Sequence, residues 1–256
     1  MTHTDHAARK WLPWIDGLLD AGEAYFKQHG KPLFTSHMID LSEEPLEENI
    51  ETCKRYLERM NRMGMTLERE LGITGGEEDG VDHSDVDSSR LYTQPEEVAY
   101  AYKELGEVSN KFTVAAAFGN VHGVYKPGNV QLRPEILLAS QKHVQGVYDT
   151  KEKPLDFVFH GGSGSSAEEI AEAVSYGVFK MNVDTDTQFA FSKPVGAYVE
   201  AHPKAFKYQI DPVDGTPFKK QYDPRAWLRE CEKSMAERIQ QACRELGATG
   251  NSIAEA

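Results

Sequence analysis

Two apolar patterns alternate along the chain. Residues 10–28 and 46–63 carry apolar side chains three or four positions apart, which predicts amphipathic helices. Between such segments lie short apolar or alternating runs that predict six β-strands. The predicted strands end near His6, Asp40, Gly72, Gly119, Gly161 and Thr185. Alternating strands and helices over this length predict a single α/β domain, 1–256.

Capping and turn signals place further helices. The predicted capping pairs are Thr93 with Glu96, and either Ser166 with Glu169 or Ser165 with Glu168. A helix is predicted over 134–146. The pair Asp223-Pro224 predicts the start of a long terminal helix, because proline suits the first helical turn.

The strand predicted over 65–71 has polar residues at alternate positions. This spacing puts Thr66, Glu68 and Glu70 on one face. A sheet covered by helices buries both faces, and a buried carboxylate is costly without a partner. We therefore expect Glu68 or Glu70 to have a partner or to bind a cation. The alternative is an edge strand with solvated glutamates.

Residues 73–92 are predicted to form a long acidic loop. Loops of this length in compact domains are usually functional or disordered. Gly75, Gly76 and Gly80 could act as hinges of a lid that carries Glu77 or Glu78 to a substrate. A solvated acidic loop explains the composition equally well.

The segment His160–Ser166 is glycine-rich and lies between a predicted strand and a predicted helix. Glycines allow several backbone N–H groups to face one anion, and the helix start adds its positive dipole end. The segment therefore predicts a phosphate site, although a tight strand-to-helix connection would have a similar composition.

Polar clusters fall at the carboxyl ends of the predicted strands, where (β/α)8 barrels carry their active sites. His6, His122 and His160 all lie there, together with one or two carboxylates, which predicts a zinc-type site. The remaining histidines are interpreted as structural or surface residues: His3, His29, His37, His83, His143 and His202.

Charge and cysteine content narrow the classes of partner. The formal net charge of −13 argues against nucleic acid or an anionic membrane surface as a partner. We expect no membrane span, because no apolar run approaches about 20 residues, and no signal-peptide pattern is visible. The three cysteines lack zinc-motif spacing, which predicts reduced thiols in a cytoplasmic protein.

Seven segments match one family in order and spacing. They are Thr4–His6, Ser36–Glu44, Glu70–Asp79, Gly119–Gly128, His160–Ser165, Lys180–Asp186 and Tyr222–Arg225. On these residues the chain resembles the class II, metal-dependent fructose-1,6-bisphosphate aldolases. The resemblance implies a (β/α)8 TIM barrel and reversible cleavage of fructose 1,6-bisphosphate to dihydroxyacetone phosphate and glyceraldehyde 3-phosphate through a zinc-stabilised enediolate.

The resemblance also implies residue roles. Zn²⁺ would be held by His6, His122, His160 and, in some states, Glu70, with Asp40 in a second divalent site. Proton transfer would fall to Glu78 and Asp5, and Asn182 would contact the enediolate. Phosphates would bind Gly161, Ser163, Asp184, Thr185 and, from a second subunit of a homodimer, Arg225. Carbonyls of Val121, Gly123 and Gly161 would hold Na⁺ or K⁺.

One departure from the family concerns the start of the chain. The family has two further strands and most of a third before the Thr-Asp-His motif, so we expect an incomplete barrel with exposed core. Alternative hypotheses are a non-catalytic remnant that keeps metal or subunit binding, a tagatose-bisphosphate aldolase, and a metal-dependent hydrolase. Schiff-base chemistry through Lys126 or Lys180 is a further alternative.

Overall fold

A computed structural model describes residues 2–78, 81–82, 91–123 and 131–251, without the side chains of 76–78, 81 and 82. The chain falls into two compact units, residues 1–182 and 183–256. No helix in the described ranges has both the length and the apolar character that crossing a membrane requires.

The first unit is built on a six-stranded parallel sheet. Its strands are β1 (His3–Thr4), β2 (Ser36–Ile39), β3 (Thr66–Leu71), β6 (Phe112–Ala116), β8 (Phe157–Phe159) and β9 (Val178–Met181). They lie side by side in chain order, and each neighbouring pair is parallel. The six predicted strands are confirmed, with shorter bounds at several ends.

Helices connect these strands. They are α1 (Leu12–His29), α2 (Leu46–Arg62), α3 (Pro95–Gly106), α4 (Glu135–Tyr148) and α5 (Ala167–Ser175), and a 3-10 turn, Arg9–Trp11, precedes α1. Parallel strands adjacent in chain order and joined by helices are the arrangement of a (β/α)8 barrel. The described strands therefore form an arc of that fold, and the predicted α/β class is confirmed.

The predicted loop over 73–92 was partly wrong. Within it lie two short strands, β4 (Gly75–Glu78) and β5 (Val81–Asp82), which pair antiparallel. Strand β4 also runs parallel to β7 (Val121–His122), with Gly75 opposite Val121 and Gly76 opposite His122. The segment is thereby joined to the strand end that carries His122.

The predicted cap of α3 was also wrong. Glu97, not Glu96, accepts the backbone N–H of Gln94 at 2.9 Å. The hydroxyl of Thr93 instead donates to the carbonyl of Leu71 at 2.6 Å and accepts the N–H of Ala117 at 2.8 Å. Thr93 thus ties the ends of β3 and β6 together. At α5, by contrast, the predicted pair of Ser166 and Glu169 forms both bonds of the capping box.

The second unit consists of α6 (Thr185–Ala201), α7 (Lys219–Tyr222) and α8 (Pro224–Glu245). The last strand ends at Met181, four residues before the predicted end, and Thr185 already opens α6. Helices α6 and α8 pack together. On α8 the predicted packing face is buried at Cys231, while Ile239 remains 45% exposed. Asp223 caps α8 by accepting the N–H of Arg225.

Strand β3 is buried on both faces, and its outer face carries an arginine. The side chain of Arg69 is fully buried, and its only hydrogen bond among the described residues joins Nη2 to the carbonyl of Glu70 at 3.3 Å. Burial lowers the pKa of Arg69 to about 10, although Cys53 and Glu97 act in the opposite direction. A buried charge with so few partners is expected to reduce stability.

We predict that Arg69→Leu stabilises the protein. The substitution removes a buried charge and keeps an apolar side chain in the core, so the free energy of unfolding should rise by about 1–3 kcal/mol. Urea denaturation of the purified protein measures the change. The matched control is Arg55→Leu on the exposed side of α2, which should stay within about 0.5 kcal/mol. A loss of stability in Arg69→Leu would contradict the prediction.

His37 on β2 is a buried structural histidine, as predicted. Its Nδ1 lies 3.0 Å from the hydroxyl of Thr4, and its ring lies 4.9 Å from that of Phe34. Burial, with a smaller contribution from His3, lowers the pKa of His37 to about 4. The folded protein therefore resists a proton that the unfolded chain accepts near pH 6.5.

We predict that this histidine makes stability fall in acid. Between pH 6.5 and about 4 the unfolded state binds a proton that the folded state does not bind. His37 should therefore lower the free energy of unfolding by up to about 3 kcal/mol as the pH decreases through that window. In His37→Gln, which is neutral throughout, the slope of unfolding free energy against pH should be shallower. His29→Gln, on the exposed end of α1, is the control and should keep the wild-type slope.

Candidate metal centre

Three histidines come together at the carboxyl ends of the parallel strands. His6 follows β1, His122 ends β7, and His160 follows β8. The ring centroid of His6 lies 5.2 Å from that of His122 and 4.6 Å from that of His160. One ring nitrogen of each histidine lies within 4.8 Å of the others. The structure thus groups the three predicted ligands around one point.

Two carboxylates adjoin this cluster: Glu70 on β3, where a glutamate with a partner was predicted, and Asp40, which follows β2. Glu70 is 3% exposed, and its Oε2 lies 3.5 Å from Nδ1 of His6 and 3.4 Å from Nδ1 of His160. Its Oε1 accepts the hydroxyl of Thr74 at 2.8 Å. Asp40 lies 3.0 Å from Nδ1 of His6 and accepts both the N–H and the hydroxyl of Ser42. His6, Asp40 and Glu70 form a second group with ligand spacing.

The electrostatics of the cluster favour positive charge. Burial alone would lower the pKa of His6, but the hydrogen bond to Asp40 and the charge of Glu70 raise it to about 9. Burial also opposes a charged His160, yet Glu70 and Glu68 raise its pKa. For Asp40, the bonds from His6 and Ser42 outweigh burial and lower the pKa to about 2. The carboxylates thus favour positive charge among the imidazoles, which either a proton or a metal ion would supply.

The donor set fits a divalent metal. Nδ1 of His160 and Oε2 of Glu70 are buried and make no hydrogen bond within the described ranges, although they lie 3.4 Å apart. A buried acceptor without a partner is costly unless a cation binds it. Imidazole nitrogen with carboxylate oxygen is also a preferred ligand set of zinc.

Asp5 and Asn182 lie beside the histidines. Nδ2 of Asn182 is 3.3 Å from both carboxylate oxygens of Asp5, and Oδ1 of Asp5 is 4.0 Å from Nε2 of His6. Asp5 is 53% exposed, so solvent and a ligand can reach it. Asp5 and His6 are consecutive, and both line this site because β1 has already ended at Thr4.

The glycine-rich turn approaches the end of β7 closely. Gly161 has φ +60°, and a Cβ at this position would lie 2.4 Å from the carbonyl oxygen of Val121. Asn120 supports the same contact, because its Nδ2 donates to the carbonyl of His160 at 3.0 Å and its Oδ1 accepts the N–H of Phe118. Only glycine fits where the His160 and His122 segments meet.

The other predicted site residues are placed as follows. Ser163 is buried in the glycine-rich turn, and Gly123 follows β7 with φ +86°. Asp184, Thr185 and Arg225 belong to the second unit, where both carboxylate oxygens of Asp223 accept from the guanidinium of Arg225. The side chains of Glu77 and Glu78, and all of His83 and Lys126, lie outside the described residues.

The sequence analysis missed a buried ion-pair group beside the candidate metal ligands. Glu68 contacts His160 and Lys180, and Lys180 also contacts His3. The sequence predicted a partner for Glu68 or Glu70 but did not identify it. The available signal was the alternation of β9, which places Lys180 on the same face as Asn182.

A cleft of about 530 Å³ opens beside the histidine cluster. Its wall includes His6, His122, Asp40 and Glu70, together with Arg9, Lys10 and Trp11. The cluster is therefore accessible from a space large enough for a small molecule.

Parallel strands linked by helices, with histidines and carboxylates at the strand ends, define a class of metal-binding barrel-type α/β proteins. The family model for class II fructose-bisphosphate aldolase matches residues 1–251. A fructose-bisphosphate aldolase of Haemophilus influenzae is 61% identical over 246 residues, which are 95% of this chain and 68% of that protein. The class 2 enzyme of Escherichia coli K12 is 60% identical over 248 residues, 96% of this chain and 69% of its own.

The fold of a solved structure is also similar to that of this chain. The crystal structure of fructose-bisphosphate aldolase from Campylobacter jejuni superposes with a TM-score of 0.82 at 56% identity, covering 96% of this chain and 69% of that one. The chain belongs to the class II fructose-bisphosphate aldolase family. The family is metal-dependent, in agreement with the donor set of the histidine cluster.

We predict that Gly161→Ala weakens metal binding. The new Cβ would overlap the carbonyl of Val121 and displace the backbone that carries His122 or His160. Zinc affinity should fall by about 10-fold or more, since ligand geometry is set by its supporting shell. Competition with a chromophoric chelator measures it. Gly146→Ala in α4, where a Cβ meets nothing within 4 Å, should bind zinc like the wild type. Unchanged affinity in Gly161→Ala would contradict the prediction.

Proposed function

We propose that this chain catalyses the reversible aldol cleavage of fructose 1,6-bisphosphate to dihydroxyacetone phosphate and glyceraldehyde 3-phosphate. Membership of the class II family supports the reaction class. The observation that carries the proposal is the meeting of His6, His122 and His160 with Glu70 at the strand ends. This arrangement of donors is suited to a Lewis-acid metal beside an open cleft.

In this proposal His6, His122, His160 and Glu70 hold a catalytic zinc ion. When bound, the metal supplies Lewis acidity that polarises the substrate carbonyl and stabilises negative charge developing on its oxygen. Asp40, which lies with His6 and Glu70 in the second ligand-spaced group, contributes to a second divalent site. Backbone carbonyls of Val121, Gly123 and Gly161 hold a monovalent cation, Na⁺ or K⁺.

Asp5, Glu78 and Asn182 handle protons and orientation. The carboxylate of Asp5 exchanges a proton with the aldehyde oxygen of glyceraldehyde 3-phosphate. Asp5 is exposed, so a substrate can reach this carboxylate. The amide of Asn182, 3.3 Å from Asp5, orients that carboxylate and contacts the substrate beside it. Glu78, on β4, removes the proton from the carbon next to the ketone.

Phosphate binding is assigned to the glycine-rich turn and to the second unit. Backbone N–H groups around Gly161, with Ser163, Asp184 and Thr185, bind one phosphate. Arg225 of a second subunit in a homodimer binds the other, because a guanidinium can form two parallel bonds to phosphate. We further propose that the protein acts in glycolysis or gluconeogenesis in the cytoplasm.

Schiff-base catalysis by Lys180 is less consistent with the contacts. Nζ of Lys180 donates to both oxygens of Glu68, at 2.9 and 2.8 Å. Nζ is thus engaged in an ion pair with a buried carboxylate, whereas a Schiff-base lysine must attack a substrate carbonyl with this atom.

Metal removal tests the proposal. We expect the purified chain to cleave fructose 1,6-bisphosphate, to lose that activity in EDTA and to recover it when zinc is restored. Coupled enzymatic detection of the triose phosphates measures the rate. Activity that is indifferent to chelation would rule out the metal mechanism, and the absence of cleavage with zinc bound would rule out the proposed reaction.

A single substitution separates proton transfer from metal binding. Asp5→Asn should lower kcat by about 100- to 10,000-fold, because the general acid and base group is lost. The zinc content should stay at the wild-type value, since Asp5 is not among the ligands proposed for the catalytic metal. Asp20→Asn, on the surface of α1, is the matched control and should keep full activity.

A further inference from the structure

We propose that Glu68, held in place by Lys180, is a positioning residue that orients His160 and directs its Nδ1 toward the metal. This inference rests on the proposed zinc centre. It assigns a role to two residues that the proposed reaction does not use directly.

The contacts around Glu68 are specific. Glu68 lies on the inner face of β3 and is 3% exposed, and its Oε1 is 2.9 Å from Nε2 of His160. Lys180, from β9, places Nζ 2.9 Å from Oε1 and 2.8 Å from Oε2. Nε2 of His3, on β1, lies 3.5 Å from Oε2 and 3.2 Å from Nζ of Lys180.

These contacts fix which nitrogen of His160 can bind a metal. An ionised carboxylate only accepts hydrogen bonds, so Nε2 of His160 must carry the hydrogen shared with Glu68. The lone pair available for a metal is then on Nδ1. That atom is buried, makes no hydrogen bond within the described ranges, and lies 3.4 Å from Oε2 of Glu70. One bond thus sets both the tautomer and the ring orientation of His160.

Lys180 stabilises the buried position of Glu68. Two carboxylates on the same face of β3 repel each other, and Glu68 without a cation would be a costly buried charge. Lys180 neutralises Glu68 through two short contacts. Among the described residues, Glu70 has ion-pair contacts with His6 and His160 but with no lysine or arginine. Glu68 therefore orients His160, while Glu70 remains available to bind the metal.

The group also connects strands that are not neighbours. Strands β6 and β8 lie between β3 and β9 in the sheet, and β1 lies two strands from β3 on the other side. The side chains of His3, Glu68 and Lys180 meet across the concave interior of this arc. A purely structural ion pair would use the same contacts, so the test must separate orientation of His160 from stability.

Two variants make that separation. Glu68→Gln keeps the size of the side chain but loses its charge, and Lys180→Met removes the cation that holds it. We expect zinc affinity to fall by about 10- to 100-fold in each, measured by competition with a chromophoric chelator. Lys180→Arg, which keeps a cation, should recover most of the affinity. Lys54→Met breaks the Lys54–Glu104 pair between α2 and α3 and should leave zinc affinity unchanged.

Thermal unfolding of the metal-free proteins is measured in parallel. A positioning role predicts that zinc affinity falls by more than any loss of stability of the metal-free protein explains. A structural role alone predicts lower stability with wild-type zinc affinity in the folded fraction, and that result would overturn the inference. Equal zinc affinity in wild type, Glu68→Gln and Lys180→Met would overturn it as well.

A measurement on the unmodified protein does not depend on any variant folding. In the zinc-loaded wild type, nitrogen-15 NMR of the histidine side chains should show His160 protonated at Nε2 and bound to metal through Nδ1. Zinc bound through Nε2 would overturn the inference while leaving the metal centre intact. A wild-type protein that binds no zinc would instead overturn the proposed metal centre, so the two failures are distinguishable.

Discussion

The structure of the site depends on burying two carboxylates of β3 on one face. Glu68 and Glu70 are both 3% exposed, and their charges must be balanced inside the sheet. Glu68 is balanced by Lys180 and His160. Within the described part of the chain, Glu70 accepts a hydrogen bond from Thr74 and lies close to the imidazoles of His6 and His160. The excess negative charge explains why the pKa of His160 is raised despite burial. The same excess favours a divalent cation among the histidines.

Backbone geometry brings the histidines close to the two buried carboxylates. The positive φ of Gly161 lets the turn after β8 contact Val121, and Asn120 bonds to the carbonyl of His160. Pairing of β4 with β7 adds the segment that carries Glu78 to the same strand end. Site chemistry and barrel-type topology are therefore linked, because His6 and His160 follow strands of the sheet and Glu70 lies near the end of β3, all at the carboxyl edge.

Local signals in the sequence predicted much of this arrangement. The period of two in β3 predicted buried glutamates with partners, and the Ser166–Glu169 pair predicted the start of α5. The cap of α3 was misplaced because Thr93 bonds to Leu71 and Ala117, partners remote in sequence. The strands within 73–92 were missed for the same reason: β4 is paired partly with Val121 and His122, some 46 residues further along the chain.

Periodicity and motifs of a few residues were enough to predict the six strands, the polar residues at their ends and the family resemblance, because all three are local features of the chain. Which side chains meet depends instead on the folded arrangement of the strands. It placed Glu68 between His160 and Lys180, which are 92 and 112 positions away, and it buried Arg69 almost without partners. Side-chain pairing across non-neighbouring strands depends on sheet order and curvature, and no local pattern encodes either of them.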